Sequence, residues 1–229
     1  MKINEPILIT EKNVTFLGGG IICGTLLKKT LSHAPCLVAA DGAAGQALAL
    51  GYRPDRVIGD FDSLTEDMRA ALPEECLIHV PEQDSTDFEK CLTRVEAPMI
   101  FGVGFTGARI DHELAVYATL TRFPNRRCII LGTEDLCFMA PPELMLPTEP
   151  GQRVSLFPMA TVAGRSEGLR WPIEGLDFAP DRRIGTSNAA VATEVRLEFD
   201  QPGMMVILPR ESCDAELVAR LIAAPKWPL

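Results

Sequence analysis

No apolar stretch approaches the roughly 18 residues that a membrane-spanning helix requires, so no span is expected. Positive charge is in deficit: 22 Lys+Arg stand against 31 Asp+Glu, a formal net charge of −9. Binding nucleic acid through bulk charge needs clustered Lys and Arg, so that class of partner is not expected. Cys23, Cys36, Cys76, Cys91, Cys128, Cys137 and Cys213 are odd in number, scattered and never spaced C-x-x-C, which speaks against a disulfide framework or a zinc site. His33 and His79 lack a carboxylate or cysteine at ligand spacing and read as structural. G-x-S-x-G is missing, the Gly18–Gly20 run matches neither the dinucleotide fingerprint nor Walker A, and no internal repeat or low-complexity tract is visible. The opening MKINEPILITEKN places Glu5 before any apolar run and shows no signal-peptide core, so a cytoplasmic location is expected.

What is present is ordinary globular composition, 47% hydrophobic and 23% charged over 229 residues, enough for one large domain or two small ones. Up to about Asp135, short apolar runs at 14–19, 36–41, 55–60, 77–80, 98–104 and 127–132 read as strands buried on both faces. Between them, 43–50, 64–72, 87–95 and 111–123 read as helices, the clearest carrying Phe88, Cys91, Leu92 and Val95 at i, i+3, i+4 and i+7. This alternation predicts an α/β domain with a mostly parallel sheet, Rossmann-like and doubly wound, over residues 1–142. After the Pro-rich APPELMLPTEPG (140–151) the helical period disappears, and β-branched segments separated by Gly, Pro and Asp predict an all-β sandwich over 143–229, closed by a tail helix in CDAELVARLIAA.

Aspartate gathers where strands end. Asp41, Asp60, Asp62, Asp84, Asp87 and Asp111 each follow a predicted strand or sit at the next strand-to-helix junction. The carboxyl ends of parallel strands share one edge, where ligands bind, so four segments deliver carboxylates to one rim. Asp60 and Asp62 lie two apart; in an extended segment both point to one side, with Phe61 turned the other way. Such a pair suits Mg²⁺ held beside phosphates, or else an Asx-turn with Gly59 at the bend. In QDSTDFEKCL, Asp84 or Ser85 caps a helix beginning near Thr86, and Asp84 and Asp87 also serve as further ligands or water-mediated contacts to the same metal. In GVGFTGARIDHELA, glycines 102, 104 and 107 permit close backbone approach to phosphate, Arg109 offers a bidentate clamp, and Asp111 and His112 open the helix. His112 is a base, an orienting group or a helix-start residue. Gly18, Gly19 and Gly20 form either a phosphate nest or an ordinary tight turn.

In order, ADGAAGQAL…GYRPDRVIGDFDSL, DSTDFEKCL, GFTGARIDHELA and GLRWPI…GTSN resemble the thiamine pyrophosphokinase (thiamine diphosphokinase) family across roughly residues 36–190. The resemblance implies a homodimer that transfers pyrophosphate from ATP to thiamine, giving thiamine diphosphate and AMP with Mg²⁺. Residue by residue, it implies catalytic roles for Asp60, Asp62, Asp84, Asp87, Arg109 and Asp111, with the metal on the first four. Nucleotide contacts fall to Asp41, Gly42, Thr86, Gly107, Arg109 and His112, and thiamine contacts to Trp171, Thr186, Ser187 and Asn188. An indole face at Trp171 suits a flat cation; ordinary core packing is its other reading. Because the thiamine and aspartate residues fall in different predicted domains, the pocket is expected to span domains or subunits. Ala43, Ala44, Ala108 and Ala115-Val116 depart from the family pattern and bear on nucleotide-loop geometry. The rivals are a related pyrophosphokinase acting on another alcohol such as a hydroxymethylpterin, a metal-dependent nucleotide hydrolase, and a non-catalytic thiamine- or nucleotide-binding regulator.

Overall fold

Runs such as VTFL, CLVAA and CIIL carry no polar face, and a strand of that kind is stable only inside a sheet covered on both sides. The structure, a computed structural model describing residues 6–228, forms strands at each of these runs. The opening MKINE lies outside the described residues. The chain divides into two compact units, one reaching Thr119 and taking in Ile130–Gly132, the other holding Leu120–Ile129 and Thr133 onward.

In chain order the first unit is built from β1 (Leu8–Ile9), β2 (Val14–Leu17), α1 (Gly24–His33), β3 (Cys36–Ala40), α2 (Ala43–Ala49), β4 (Arg56–Gly59), α3 (Glu66–Ala70), β5 (Leu77–His79), α4 (Asp87–Arg94), β6 (Val95–Glu96), β7 (Ile100–Val103) and α5 (Ile110–Arg122) as far as Thr119, with β8 (Cys128–Leu131) contributing its second half. The sheet order is β8-β7-β2-β3-β4-β5, and the pairs β7/β2, β2/β3, β3/β4 and β4/β5 are all parallel. Leu17 pairs with both Ala39 and Val103, and Ala40 with Ile58, so β2, β3, β4 and β7 end at one edge. That edge receives Gly18, Asp41, Asp60 and Gly104. Helix α1 has no counterpart in the sequence expectation. Only Leu27 and Thr30 of GTLLKKTLSH are buried, so the helix lacks the apolar stripe that would announce it.

The second unit is antiparallel. β9 (Asp135–Met139), β10 (Glu143–Pro147), β11 (Arg153–Pro158), β12 (Val162–Glu167), β13 (Asp177–Phe178), β14 (Gly185–Ala189), β15 (Glu194–Phe199) and β16 (Met204–Pro209) form two arrays, β14-β11-β16-β9 and β10-β15-β12-β13. The tail helix α6 (Ala215–Ala223) is capped by Asp214, whose Oδ1 accepts from Leu217 N at 2.8 Å, and it buries Leu217 and Leu221. The division between units falls ten residues before the expected 142/143. Asp135–Met139 pairs along its whole length with β16, which commits it to the antiparallel unit. The Pro-rich stretch 140–151 also contains a strand, since β10 pairs residue for residue with β15 and buries Leu144 and Leu146.

Candidate active site

The loops at the carboxyl edge of the first unit enclose a cavity of about 390 Å³, lined by Gly18–Gly20, Asp41, Gly42, Gln46, Ser63, Thr86–Phe88, Gly104–Thr106, Ala108, Arg109 and His112, among others. The glycines are required by how closely these loops approach. A Cβ on Gly18 would lie 2.5 Å from the Gly104 carbonyl oxygen, and Gly20 N donates to that same oxygen at 2.7 Å. Gly104 itself has φ 76°. The triple glycine therefore packs against the β7 loop while also lining the cavity.

Three carboxylates converge beside it. Asp41, Asp60 and Asp62 each bring an oxygen to within 4.8 Å of the others. Asp41 ends β3 with φ 41°, a left-handed backbone that turns its side chain toward β4; a Cβ on Gly59 would come within 2.6 Å of the Asp41 Cβ. Asp41 is 2% exposed, its Oδ2 accepts from Ser63 N at 3.3 Å, and its buried Oδ1 finds no hydrogen-bond partner among the described residues. Burial, reinforced by the charge of Asp87, raises its pKa. Asp62 accepts from Ser63 Oγ at 2.9 Å and is exposed.

Phe61 is not the extended residue expected between Asp60 and Asp62, for its φ is 66°. Its ring is held by a stack on His79, 5.3 Å between centroids at 28°, with the Arg69 guanidinium 5.3 Å from the ring centroid. The two aspartates thus converge through a left-handed turn rather than strand alternation.

Helix α4 supplies the opposite wall. Its cap is Thr86, whose hydroxyl accepts from Glu89 N at 3.4 Å, and not Asp84 or Ser85. Both of those backbone N–H groups instead donate to Glu82 Oε2, at 3.0 and 3.1 Å, and the Ser85 hydroxyl also bonds Glu82. This leaves Asp84 exposed and outside both the carboxylate cluster and the cavity lining. Asp87 does line the cavity. Burial raises its pKa despite the hydrogen bond from Lys90, with the charges of Asp60 and Asp62 adding to the rise. Lys90 Nζ sits 3.1 Å from Asp60 Oδ2 and 3.2 Å from Asp87 Oδ1, and Gln83 Nε2 donates to Asp60 Oδ2 at 2.7 Å. At Asp60 burial works upward, but the bonds from Lys90 and Gln83 outweigh it and hold the pKa below the usual carboxylate value. Neither Lys90 nor Gln83 was expected from sequence.

On the β7–α5 loop, Arg109 and His112 face the cavity while Asp111 does not. The Arg109 guanidinium grips Asp111 with two bonds, 3.2 and 2.6 Å, and its hydrogen bonds pull the Asp111 pKa down to about 2. Gly107, expected to offer its N–H to phosphate, donates it to Glu113 Oε2 at 2.9 Å.

Two family models match the chain: "Thiamin pyrophosphokinase, catalytic domain" over residues 27–131, and "Thiamin pyrophosphokinase, vitamin B1 binding domain" over 143–204. The chain belongs to the thiamin pyrophosphokinase family. Among curated relatives, thiamine pyrophosphokinase 1 of Arabidopsis thaliana is 26% identical over 202 residues, covering 73% of this chain and 76% of the relative. Thiamin pyrophosphokinase 1 of Caenorhabditis elegans is 26% identical over 182 residues, 70% and 74% of the two chains. The crystal structure of thiamin pyrophosphokinase from Geobacillus thermodenitrificans superposes with TM-score 0.72 at 25% identity, over 90% of this chain and 99% of that one. The yeast thiamin pyrophosphokinase structure, at 18% identity, shares the fold with TM-score 0.70 over 95% and 94%.

The catalytic match takes in most of the first unit together with Leu120–Ile129 of the second, the vitamin B1 binding match lies within the second unit, and the aspartates above lie within the catalytic match. The residues that the resemblance assigned to thiamine lie within the vitamin B1 binding match. Trp171 is 56% exposed with the Arg170 guanidinium 5.6 Å from its ring centroid, so it is not core. Thr186 and Ser187 are exposed, and Ser187 takes φ 63° with its N–H bonded to Ser155 Oγ at 3.0 Å. Asn188 is buried, and its amide is spent on the backbone of Trp171.

Proposed function

We propose that the protein is an ATP:thiamine pyrophosphotransferase that forms thiamine diphosphate and AMP, with Mg²⁺ as its metal, thiamine seated against Trp171, and a homodimer as its working form. The observation that carries the catalytic reading is the convergence of Asp41, Asp60 and Asp62 on one point, with a buried, unpartnered oxygen on Asp41. Such an oxygen is costly unless a cation or donor satisfies it. Three hard oxygen donors suit a divalent metal that also takes phosphate oxygens and waters. Asp41, Asp60 and Asp62 would hold it. Bound there, Mg²⁺ neutralises triphosphate charge and polarises phosphate oxygens.

The chain's own groups do the rest. Pyrophosphoryl transfer needs alignment and charge stabilisation more than covalent chemistry. Gly18–Gly20 and the Gly104–Ala108 loop let phosphates approach backbone closely. Arg109 exchanges its exposed partner Asp111 for a phosphate oxygen pair, a bidentate match. Asp87 faces the cavity with Oδ1 tied to Lys90, leaving Oδ2 to take the hydroxyl proton of the alcohol; its raised pKa suits a general base. Trp171 offers an exposed indole face to the cationic, flat thiamine, worth about 0.5–2 kcal/mol.

The test is to incubate purified protein with ATP, Mg²⁺ and thiamine and to separate the products. AMP with thiamine diphosphate supports the reading. ADP with thiamine monophosphate, or ATP cleavage that ignores thiamine, would overturn it.

A further inference from the structure

Lys90 is on the first turn of α4, where a lysine ordinarily reaches solvent, yet it is only 2% exposed. Its ammonium lies between Asp60 and Asp87, at 3.1 and 3.2 Å, and takes one oxygen of each. Asp60 Oδ2 also receives Gln83, so Asp60 Oδ1, which takes a long 3.5 Å bond from the Asp62 N–H, is the oxygen left to face a metal. Resting on the reading of Asp41, Asp60 and Asp62 as metal ligands, we propose that Lys90 is a positioning residue and resident countercharge. It fixes Asp60 and Asp87 in place and keeps the nucleotide-free site from holding a divalent cation tightly, so that metal is retained only together with a triphosphate.

The charges make the argument. Asp41, Asp60, Asp62 and Asp87 place four formal negative charges around the site, and four carboxylates with no internal cation would repel one another and bind any divalent ion avidly. Lys90 removes one of those charges from within, at a distance of one carboxylate from the metal position. A like charge that close weakens a dication by about tenfold or more even when solvent screening is strong. Arriving triphosphate brings more negative charge than Lys90 subtracts, so the metal is held once nucleotide is present. The enzyme then releases metal with its product instead of keeping it as an inhibitory resident ion, and the carboxylates stay ordered between turnovers.

Mn²⁺ binding, followed by the loss of its free-ion paramagnetic resonance signal, tests this without any reaction. Wild-type protein is expected to bind Mn²⁺ about tenfold or more tightly with a non-hydrolysable ATP analogue than without nucleotide. Lys90→Met should bind Mn²⁺ about tenfold tighter than wild type in the absence of nucleotide, while kcat falls and the thiamine KM stays near its original value. Lys90→Met/Asp87→Asn removes a charge of each sign and should return nucleotide-free Mn²⁺ affinity to within about twofold of wild type. Should Lys90→Met not fold by circular dichroism, Lys90→Gln, which keeps a donor for the carboxylates, takes its place with the same expectation. Unchanged or weaker nucleotide-free Mn²⁺ binding in the single variant overturns the countercharge role, as does wild-type binding that is equally tight with and without nucleotide. Absence of Mn²⁺ binding under every condition overturns the metal reading itself.

Discussion

The side-chain amide of Asn188 closes on the backbone of Trp171 in both directions: Nδ2 donates to the Trp171 carbonyl at 2.7 Å, and Oδ1 accepts from the Trp171 N–H at 3.2 Å. Oδ1 also accepts from Ala189 N at 2.8 Å. Asn188 is buried and Trp171 is exposed, so the residue beneath fixes where the indole above is presented. Asn188, which the resemblance placed at the thiamine, is in the structure bonded through its side-chain amide to the backbone of Trp171, the proposed thiamine contact.

From this pairing Asn188→Ala is expected to act on two readouts at once. Loss of bonds from a buried amide should lower stability by about 1–3 kcal/mol, and the freed Trp171 should raise the thiamine KM while the ATP KM stays close to wild type. Trp171→Ala should raise the thiamine KM at least as much with little change in Tm, since half of that side chain is already solvated. Denaturant unfolding and steady-state kinetics on both variants check it. A thiamine KM unaffected in Asn188→Ala would mean that the mount does not matter to binding.

Asp62 presents the opposite case, a proposed metal ligand that the fold does not need. It is exposed, and its Oδ1 accepts from Ser63 Oγ at 2.9 Å. Asp62→Asn should therefore melt within a degree or two of wild type yet lose turnover by on the order of 100-fold or more. Near-normal turnover in that variant would remove Asp62 from the metal set.

Much of this arrangement was legible because it depends on periodicity and on chain order. Apolar runs without a polar face specify buried parallel strands, and parallel strands force their following residues to one edge, so Asp41, Asp60 and Asp87 meet without further information. What stayed hidden depends on single residues whose surroundings lie elsewhere in the chain. Lys90 follows Glu89 and precedes Cys91 on a helix that reads as half-polar, and only the approach of Asp60 from the end of β4 explains its burial. Gln83 has no pattern at all. Asp84 and Thr86 are both good caps, and Glu82 decides between them by occupying the backbone N–H groups of Asp84 and Ser85. Strand β10 was concealed by Pro142 before it and Pro147 at its end, which mark turns but leave the four residues between them free to pair.

Asp41 allows a prediction about pH. Its pKa in the folded protein is raised above the ordinary value of 3.8, chiefly by burial and then by Asp87. The folded state therefore favours the protonated form. The stability this gives is fully present below the unfolded carboxylate pKa and is lost as pH rises through the folded one. Metal-free wild type should lose stability across that window, and Asp41→Asn, which cannot ionise, should not. The expected result is a variant at least as stable as wild type at pH 7, with the difference shrinking or reversing near pH 4. Mg²⁺ added together with a non-hydrolysable ATP analogue should raise the Tm of wild type more than that of Asp41→Asn. A variant less stable than metal-free wild type at pH 7 would show that ionised Asp41 is not the burden its unpartnered oxygen indicates.

Phe61 sets a test of how the carboxylate pair is held. Its backbone is left-handed at φ 66°, a conformation that costs an L-residue about 1–2 kcal/mol and glycine almost nothing. The cost is offset by the ring, which lies between His79 and the Arg69 guanidinium. Removing the ring while keeping the strain should therefore be worse than removing both. Phe61→Ala is expected to be less stable than Phe61→Gly by about 1 kcal/mol, although glycine's greater unfolded-state freedom usually makes it the worse substitution. Both should lower kcat, because Asp60 and Asp62 then lose the rigid turn between them, and Phe61→Leu, which refills part of the stack, should fall between Phe61→Ala and wild type. Urea unfolding of the three variants decides the order. If Phe61→Ala were the more stable of the first two, the left-handed turn would not be a cost borne by the ring, and the convergence of the two aspartates would need another source.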